Sequence, residues 1–183
     1  MLFYLQIILN FQNLMIKCFF FDRDGVIIKN YGYLIDKKKI KWLKGAISAI
    51  KILKAKNIKV IILTNQSGIA RGFFTEIELN DFHKYMNFIL KKKKAKIDEF
   101  YYCPYHPNAR LKQYKKKSNF RKPGNGMLLK AMRKYKLNPS ECVMIGDQKS
   151  DYLCAKKSKV YFEYKKNYGL DIQINNIMKK LNV

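Results

Sequence analysis

Four short segments of this chain set acids, hydroxyls or a lysine where chemistry could be done. In FFFDRDGVI, Asp22 and Asp24 stand two residues apart just after an apolar run. In IGDQKSD, Asp147 and Asp151 follow another such run. In LTNQSGIARG, Thr64, Asn65 and Ser67 follow a third, and RKP adds Arg121 and Lys122. Clustered carboxylates repel one another and need a counter-charge, for which a hard divalent cation such as Mg²⁺, with oxygen ligands, is suited. Two carboxylates at this spacing can also divide the labour, one attacking and the other moving a proton. Gly25 lets the chain turn sharply behind them. The Thr64 hydroxyl and the amides after it can hold phosphate oxygens, with Lys122 neutralising them further. Each segment alone is ordinary: a DxD is a surface turn or cap, a GDxxxD a helix N-cap with a first-turn acid, a TNQSG a loop. Together, in this order and at successive strand ends, they point to a phosphate-handling site.

The elements that must position them are legible as apolar runs. IKCFFF (16–21), IKVIIL (58–63) and CVMI (142–145) are continuous rather than alternating, as in strands buried on both faces of a parallel sheet. FYYC (100–103) reads as a fourth strand. Helical stretches lie between them, at 45–56, 75–94 and 126–137. The second opens on Thr75 with Glu78 three residues on, a capping box, and closes on lysines that suit a helix C-terminus. Alternating strand and helix predicts an α/β fold with a parallel sheet, whose ligands bind beyond the carboxyl ends of the strands.

Composition bounds the rest. With 183 residues, 48% hydrophobic and 14% aromatic, the chain can bury one core, and residues 16–183 read as a single domain. The net charge of +25 would attract any polyanion. The lysines are nevertheless scattered along the whole chain, and the richness in Lys, Ile, Asn, Tyr and Phe is what AT-rich coding yields. No obligatory nucleic-acid partner is therefore expected. Cysteines 18, 103, 142 and 154 form no CxxC pair, which fits reduced thiols and a cytoplasmic protein. Residues 1–15 are apolar, but Gln6, Asn10, Gln12 and Asn13 interrupt them. They are too short for a membrane span and lack the basic flank of a signal peptide. They read as an extension upstream of a start at Met15, with no membrane association expected.

FFFDRDGVI, TNQSGIARG, RKPGNGM and MIGDQKSD resemble the four motifs of the haloacid dehalogenase-type (HAD) phosphatases. More narrowly, DRDG, TNQSGIARG, the YYCP loop, RKP..GM and NYGYLIDKKKIKWLKGA resemble the D,D-heptose 1,7-bisphosphate and histidinol-phosphate phosphatases. The likeness runs from about Ile16 to about Ala155. It implies a Rossmann-like three-layer α/β/α sandwich with minimal or no cap domain. It implies that Asp22 attacks phosphorus to give an aspartyl-phosphate, and that Asp24 is the acid and then the base. Thr64 and Lys122 would steady the phosphoryl group. Mg²⁺ would be held by the Asp22 carboxylate, the Asp24 carbonyl and Asp147. Substrate would be lined by Asn30, Tyr31, Gly32, Tyr33, Asn65, Gln66, Ser67, Arg121 and Gln148. The implied substrate is a small phosphorylated sugar, foremost D-glycero-D-manno-heptose 1,7-bisphosphate losing its C7 phosphate on the way to lipopolysaccharide heptose, and the enzyme a monomer. Histidinol phosphate and a 3′-phosphorylated polynucleotide are the alternative substrates. A non-catalytic nucleic-acid-binding protein on the same fold is the alternative of another class.

Two departures stand out. Many relatives hold a structural zinc between YYCP and RKP, on Cys-x-His and Cys-x-Cys. Here Cys103 remains, but Tyr105, Ser118 and Phe120 occupy the other three positions, and His106 lies one residue beyond. One ligand in four cannot close a tetrahedral site, so no zinc is expected, with Tyr105 and Phe120 replacing it by packing. After Asp147 comes Gln148, where a lysine is common among relatives.

Overall fold

A computed structural model describes residues 15–33 and 35–181. The N-terminal extension expected upstream of Met15 lies outside them. Five strands form one parallel sheet: β1 (Cys18–Phe21), β2 (Lys59–Asn65), β3 (Glu99–Cys103), β4 (Cys142–Gly146) and β5 (Tyr161–Tyr164). Their order across the sheet is β3-β2-β1-β4-β5. Five α-helices follow the strands: α1 (Ala46–Ala55), α2 (Glu76–Lys92), α3 (Gly126–Tyr135), α4 (Lys149–Lys157) and α5 (Leu170–Lys180). The sequence-predicted strands and helices are all present. The sequence signalled neither β5 nor α5, because an edge strand and a terminal helix carry weaker apolar patterns.

The continuous apolar runs are explained by burial on both faces. Phe19 and Phe21 point to one side of β1, with Val60 and Ile62 of β2 and Val143 and Ile145 of β4, under α1, α2 and α5. Cys18 and Phe20 point to the other, with Ile61, Leu63 and Met144, under α3 and α4. Register keeps these layers flush: Phe19 sits beside Val60 and beside Val143. The result is a three-layer α/β/α sandwich.

The helix start predicted at Thr75 forms as a reciprocal capping box: Thr75 Oγ1 accepts from the Glu78 N–H at 3.2 Å, and Glu78 Oε2 accepts from the Thr75 N–H at 2.7 Å. Strand order reverses at β1, since β2 and β3 extend to one side and β4 and β5 to the other. The switch point therefore lies between the ends of β1 and β4, where ligands of open α/β sheets bind. Asp22 and Asp147 leave their strands at that point. No inserted domain interrupts the described residues there; the strand-to-helix connections at 22–45, 66–75 and 104–125 rim the site as loops.

Candidate active site

Parallel pairing aligns the ends of β1, β2 and β4, and the loop carrying Lys122 folds onto them. The Asp22 N–H donates to Ile145 O at 3.1 Å, the last rung before β1 and β4 part. Beyond it, Asp22, Asp147 and Asp151 each offer a carboxylate oxygen, and the three lie within 4.8 Å of one another. Two glycines make this approach possible. Gly25 has φ +84°, and a Cβ there would come within 2.3 Å of Asp147 Oδ2. A Cβ on Gly146 would come within 2.3 Å of the Asp151 Cβ. Asp151 is fully buried in the first turn of α4, where its Oδ2 accepts from the Gln148 N–H at 3.0 Å.

Lys122 answers the negative charge. Its ammonium lies 3.0 Å from Asp22 Oδ1 and 2.6 Å from Asp151 Oδ1, and donates to Leu63 O at 2.7 Å. The ammonium thus sits against three oxygens, two of them from carboxylates, in a residue only 3% exposed. The Asn65 side chain holds the Lys122 backbone from both sides, donating to its carbonyl and accepting from its N–H, each at 3.0 Å. Burial raises the Asp22 pKa to about 6; Lys122 opposes the rise, while Asp151 and Asp24 add to it. Burial first, and then Asp151, also pushes the Asp147 carboxyl up, against the hydrogen bond from Gln148. The two acid carboxylates at Asp22 and Asp151 raise Lys122 above its usual range even though burial works the other way.

Asp24 is held apart from the cluster. Arg23 grips it with Nε at 3.2 Å from Oδ1 and 3.1 Å from Oδ2, and with Nη2 at 2.8 Å from Oδ2. Gln66 Nε2 donates to the same Oδ2 at 3.0 Å and to Thr64 Oγ1 at 2.9 Å. Thr64, Gln66 and Asp24 thus form one side of the site and Lys122, Asp151 and Asp147 the other, with Asp22 between them.

The carboxylate cluster fits a hard divalent cation. It supplies three oxygen donors, the choice of Mg²⁺-type ions. Asp147 Oδ1 is buried with no hydrogen-bond partner, an atom such an ion would satisfy. Asp24 contributes no carboxylate oxygen to the cluster, which suits a ligand working through its carbonyl.

The remaining sequence-predicted residues lie nearer the surface. Arg121 is half-buried, and Ser67 lies on the turn between Asn65 and Gly68. Asn30, Tyr31, Gly32 and Tyr33 are all exposed, with Asn30 Oδ1 accepting from the Gly32 N–H at 2.8 Å. Of the four, Tyr33 turns toward the phosphate-side loop: its ring lies 4.7 Å from that of Phe73 and under the Arg71 guanidinium at 5.9 Å. Gln148 is exposed and donates to Asp147 Oδ2 at 2.9 Å rather than reaching outward. A cleft of about 290 Å³ opens beside Lys122, lined by His106, Asn108, Lys117, Ser118 and Arg121 among others.

Three residues here exceed the sequence reading. Asp151 was expected near the site, but its direct pairing with Lys122 was not; the GDxxxD spacing carried the signal. Arg23 enters the sequence reading only as part of the DRDG motif, with no role of its own. Arg71, in TNQSGIARG, was read only as part of a motif. It lies close enough to Arg121 to help lower that group's pKa, after burial, and no acid among the described residues neutralises either guanidinium.

The loop at 101–124 has a different interior from the one expected. Cys103 Sγ faces Tyr105 O at 4.0 Å, and the Tyr105 ring packs on the core beside Tyr114 and under Lys116 at 3.9 Å. Phe120, expected to share that packing, is 38% exposed and lies on the outer side near Gly126 and Lys130. Tyr105 reaches inward because it lies two residues past Cys103, close to the end of β3, whereas Phe120 sits in a turn.

A family model described as haloacid dehalogenase-like hydrolase matches residues 26–159. Among curated proteins, D-glycero-beta-D-manno-heptose-1,7-bisphosphate 7-phosphatase of Haemophilus influenzae is 36% identical over 144 residues, 79% of this chain and 78% of that protein. The enzyme of the same name from Photorhabdus laumondii is 38% identical over 145 residues, 79% of this chain and 77% of its own. Among solved structures, a HAD-like phosphatase of Mesorhizobium loti superposes with a TM-score of 0.81 at 22% identity, covering 92% of this chain and 87% of that one. D,D-heptose 1.7-bisphosphate phosphatase from B. bronchiseptica, complexed with magnesium and phosphate, superposes with a TM-score of 0.72 at 22% identity, over 90% and 99%. These two establish the likeness of fold.

Proposed function

The chain belongs to the haloacid dehalogenase-like hydrolases and is a phosphoric monoester hydrolase, and from that premise we propose that it removes the C7 phosphate of D-glycero-D-manno-heptose 1,7-bisphosphate. The observation that carries the chemistry is the convergence of Asp22, Asp147 and Asp151 around the Lys122 ammonium. The substrate is favoured by the relatives, which bear that enzyme's name over more than three-quarters of both chains.

In this mechanism an Asp22 oxygen attacks phosphorus, the bond to the sugar oxygen breaks, and Asp24 gives that oxygen a proton. Water then attacks phosphorus, Asp24 takes a proton from that water, and the bond to the Asp22 oxygen breaks, releasing phosphate and regenerating the Asp22 carboxylate. Lys122 holds the nucleophile in line from 3.0 Å, and the Thr64 hydroxyl and Lys122 counter the charge that grows on the phosphoryl oxygens. Asp22, Asp147 and the Asp24 carbonyl would hold Mg²⁺, with Asp151 beside them. That ion supplies positive charge against the phosphoryl oxygens and keeps the carboxylates ionised. Arg71 and Arg121, unneutralised at the mouth, are suited to the second phosphate, and Tyr33 with Phe73 to a sugar face. Asn65 and Ser67 line the phosphate side.

The protein works as a cytoplasmic monomer without zinc. Its described cysteines are all free and buried, and no described helix is long and apolar enough to cross a membrane. The zinc reading is tested by elemental analysis, where about one tightly bound zinc per chain would overturn it. The functional reading is tested by Mg²⁺-dependent phosphate release from heptose 1,7-bisphosphate, histidinol phosphate and a 3′-phosphorylated oligonucleotide. The bisphosphate is expected to give the highest kcat/KM. A higher value for the oligonucleotide, falling steeply with salt, would overturn the sugar assignment.

A further inference from the structure

Arg23 is 1% exposed, so its guanidinium must find its partners within the protein. Two of its three nitrogens grip Asp24, as described above. The third, Nη1, lies 3.2 Å from His83 Nε2 on α2, sixty residues away in sequence. The guanidinium carbon rests 5.2 Å from the Phe82 ring centroid, which supports the group from beneath. His83 is itself 4% exposed and stacks on Phe100 at 4.2 Å with an interplanar angle of 11°.

The direction of this contact is fixed by chemistry. A guanidinium only donates, so His83 Nε2 must accept and the ring proton must sit on Nδ1. Neutrality suits the ring, since burial and the Arg23 charge hold its pKa well below the usual value. A buried guanidinium N–H without an acceptor is costly, so removal of the imidazole acceptor would drive Arg23 out of its present pose. Asp24 would then lose three of the four contacts that fix its carboxylate plane, keeping only Gln66.

We propose that His83 is a positioning residue for proton transfer, acting through Arg23 to hold the Asp24 carboxyl at the leaving oxygen. The inference rests on the reading of Asp24 as the acid and base. A histidine serving only as packing for Phe100 would touch stability and nothing else. A histidine that aims Asp24 affects substrates according to how much their leaving group needs a proton. Proton donation matters for a sugar alkoxide and hardly at all for p-nitrophenolate, which leaves as a stable anion.

The test compares kcat/KM for heptose 1,7-bisphosphate and for p-nitrophenyl phosphate, with Mg²⁺, in wild type, His83→Phe, His83→Gln, Arg23→Lys and Asp24→Asn. This ratio reports only the steps through aspartyl-phosphate formation, so slow hydrolysis of the intermediate does not obscure it. His83→Phe keeps the stacked ring and loses the acceptor. It is expected to lower kcat/KM for the sugar by on the order of 10–100-fold and for p-nitrophenyl phosphate by no more than about twofold. His83→Gln, whose amide oxygen can accept, restores most of the loss, while Arg23→Lys shares the selective defect. Asp24→Asn shows the same selectivity more strongly. Melting temperatures identify any variant that fails to fold, and Arg23→Lys with His83→Gln then carry the comparison. Parallel loss on both substrates in His83→Phe, beside a selective loss in Asp24→Asn, would make His83 merely structural. An unselective Asp24→Asn would instead remove the acid assignment, and the inference with it.

Discussion

The floor of the site and its mouth are built by opposite rules. On the floor, Asp22, Asp24, Asp151, Lys122, Thr64 and Gln66 are largely buried and tied to one another by short hydrogen bonds and ion pairs. At the mouth, Tyr33 and Phe73 are about half exposed, and Arg71 and Arg121 pair with no acid among the described residues. Asp22, Asp24, Thr64 and Gln66 lie at strand ends, Asp151 opens α4, and Asn65 at the end of β2 pins the Lys122 backbone, so the sheet anchors their distances. The mouth comes from loops, whose side chains can change without moving the reacting atoms. A fixed phosphoryl-transfer floor under an adaptable mouth is how one fold comes to serve several substrates.

The sharpest way to break this comparison is at the floor. Asp22→Asn is expected to lower turnover by on the order of 10⁴-fold or more while the melting temperature stays near wild type. Substantial residual phosphate release would remove the aspartyl-phosphate route. Lys122→Met, measured without Mg²⁺, leaves Asp22 and Asp151 facing each other in a dry site. Denaturant titration is expected to show a loss of about 3–5 kcal/mol, with Mg²⁺ recovering part of it. A neutral result would mean that the acids are already protonated.

At the mouth the expected effects are smaller and selective. Arg71→Ala or Arg121→Ala is expected to lower kcat/KM for a bisphosphate by about 10–100-fold, the value of a charge-assisted hydrogen bond, and to spare a monophosphate. Equal losses on both would place the arginines with the floor instead.

The smallest effect uses the chain's two histidines, one in each region. His83 is held well below its usual 6.5 by burial and then by Arg23. The unfolded chain therefore takes up a proton near pH 6.5 that the folded chain refuses. Stability is full above that pH and falls below it, by at most about 1.4 kcal/mol per pH unit. His83→Phe should flatten this slope between pH 6.5 and 5. His106 is lowered by slight burial, Arg121 and Arg71 but sits at the mouth, so His106→Phe should barely change it. Equal slopes in both variants would contradict the contrast.

Much of this was legible in the chain order. Apolar runs ending at Asp22, Thr64 and Gly146 were visible as strands because burial on both faces demands unbroken hydrophobicity. Asp22, Asp24, Thr64, Lys122 and Asp147 were nameable because each follows such a run or sits in a motif. Asp151 was visible as a first-turn acid, but a spacing of four says nothing about a lysine twenty-nine residues upstream. Arg23 and His83 were hidden for the same reason. An arginine between two aspartates has no marked direction, and a histidine on α2 reads as a core residue.

What the sequence determined by itself was the set of chemical groups and the strands that end beneath them, since both are local properties of residue type and pattern. What only the tertiary structure decided was pairing across distance. Packing of the loop after β3 and of α2 against the sheet brings Lys122 between Asp22 and Asp151, sets Arg23 on His83, and turns Tyr105 inward while leaving Phe120 outside. Those contacts join segments that sequence keeps apart, and packing geometry rather than local preference selects them.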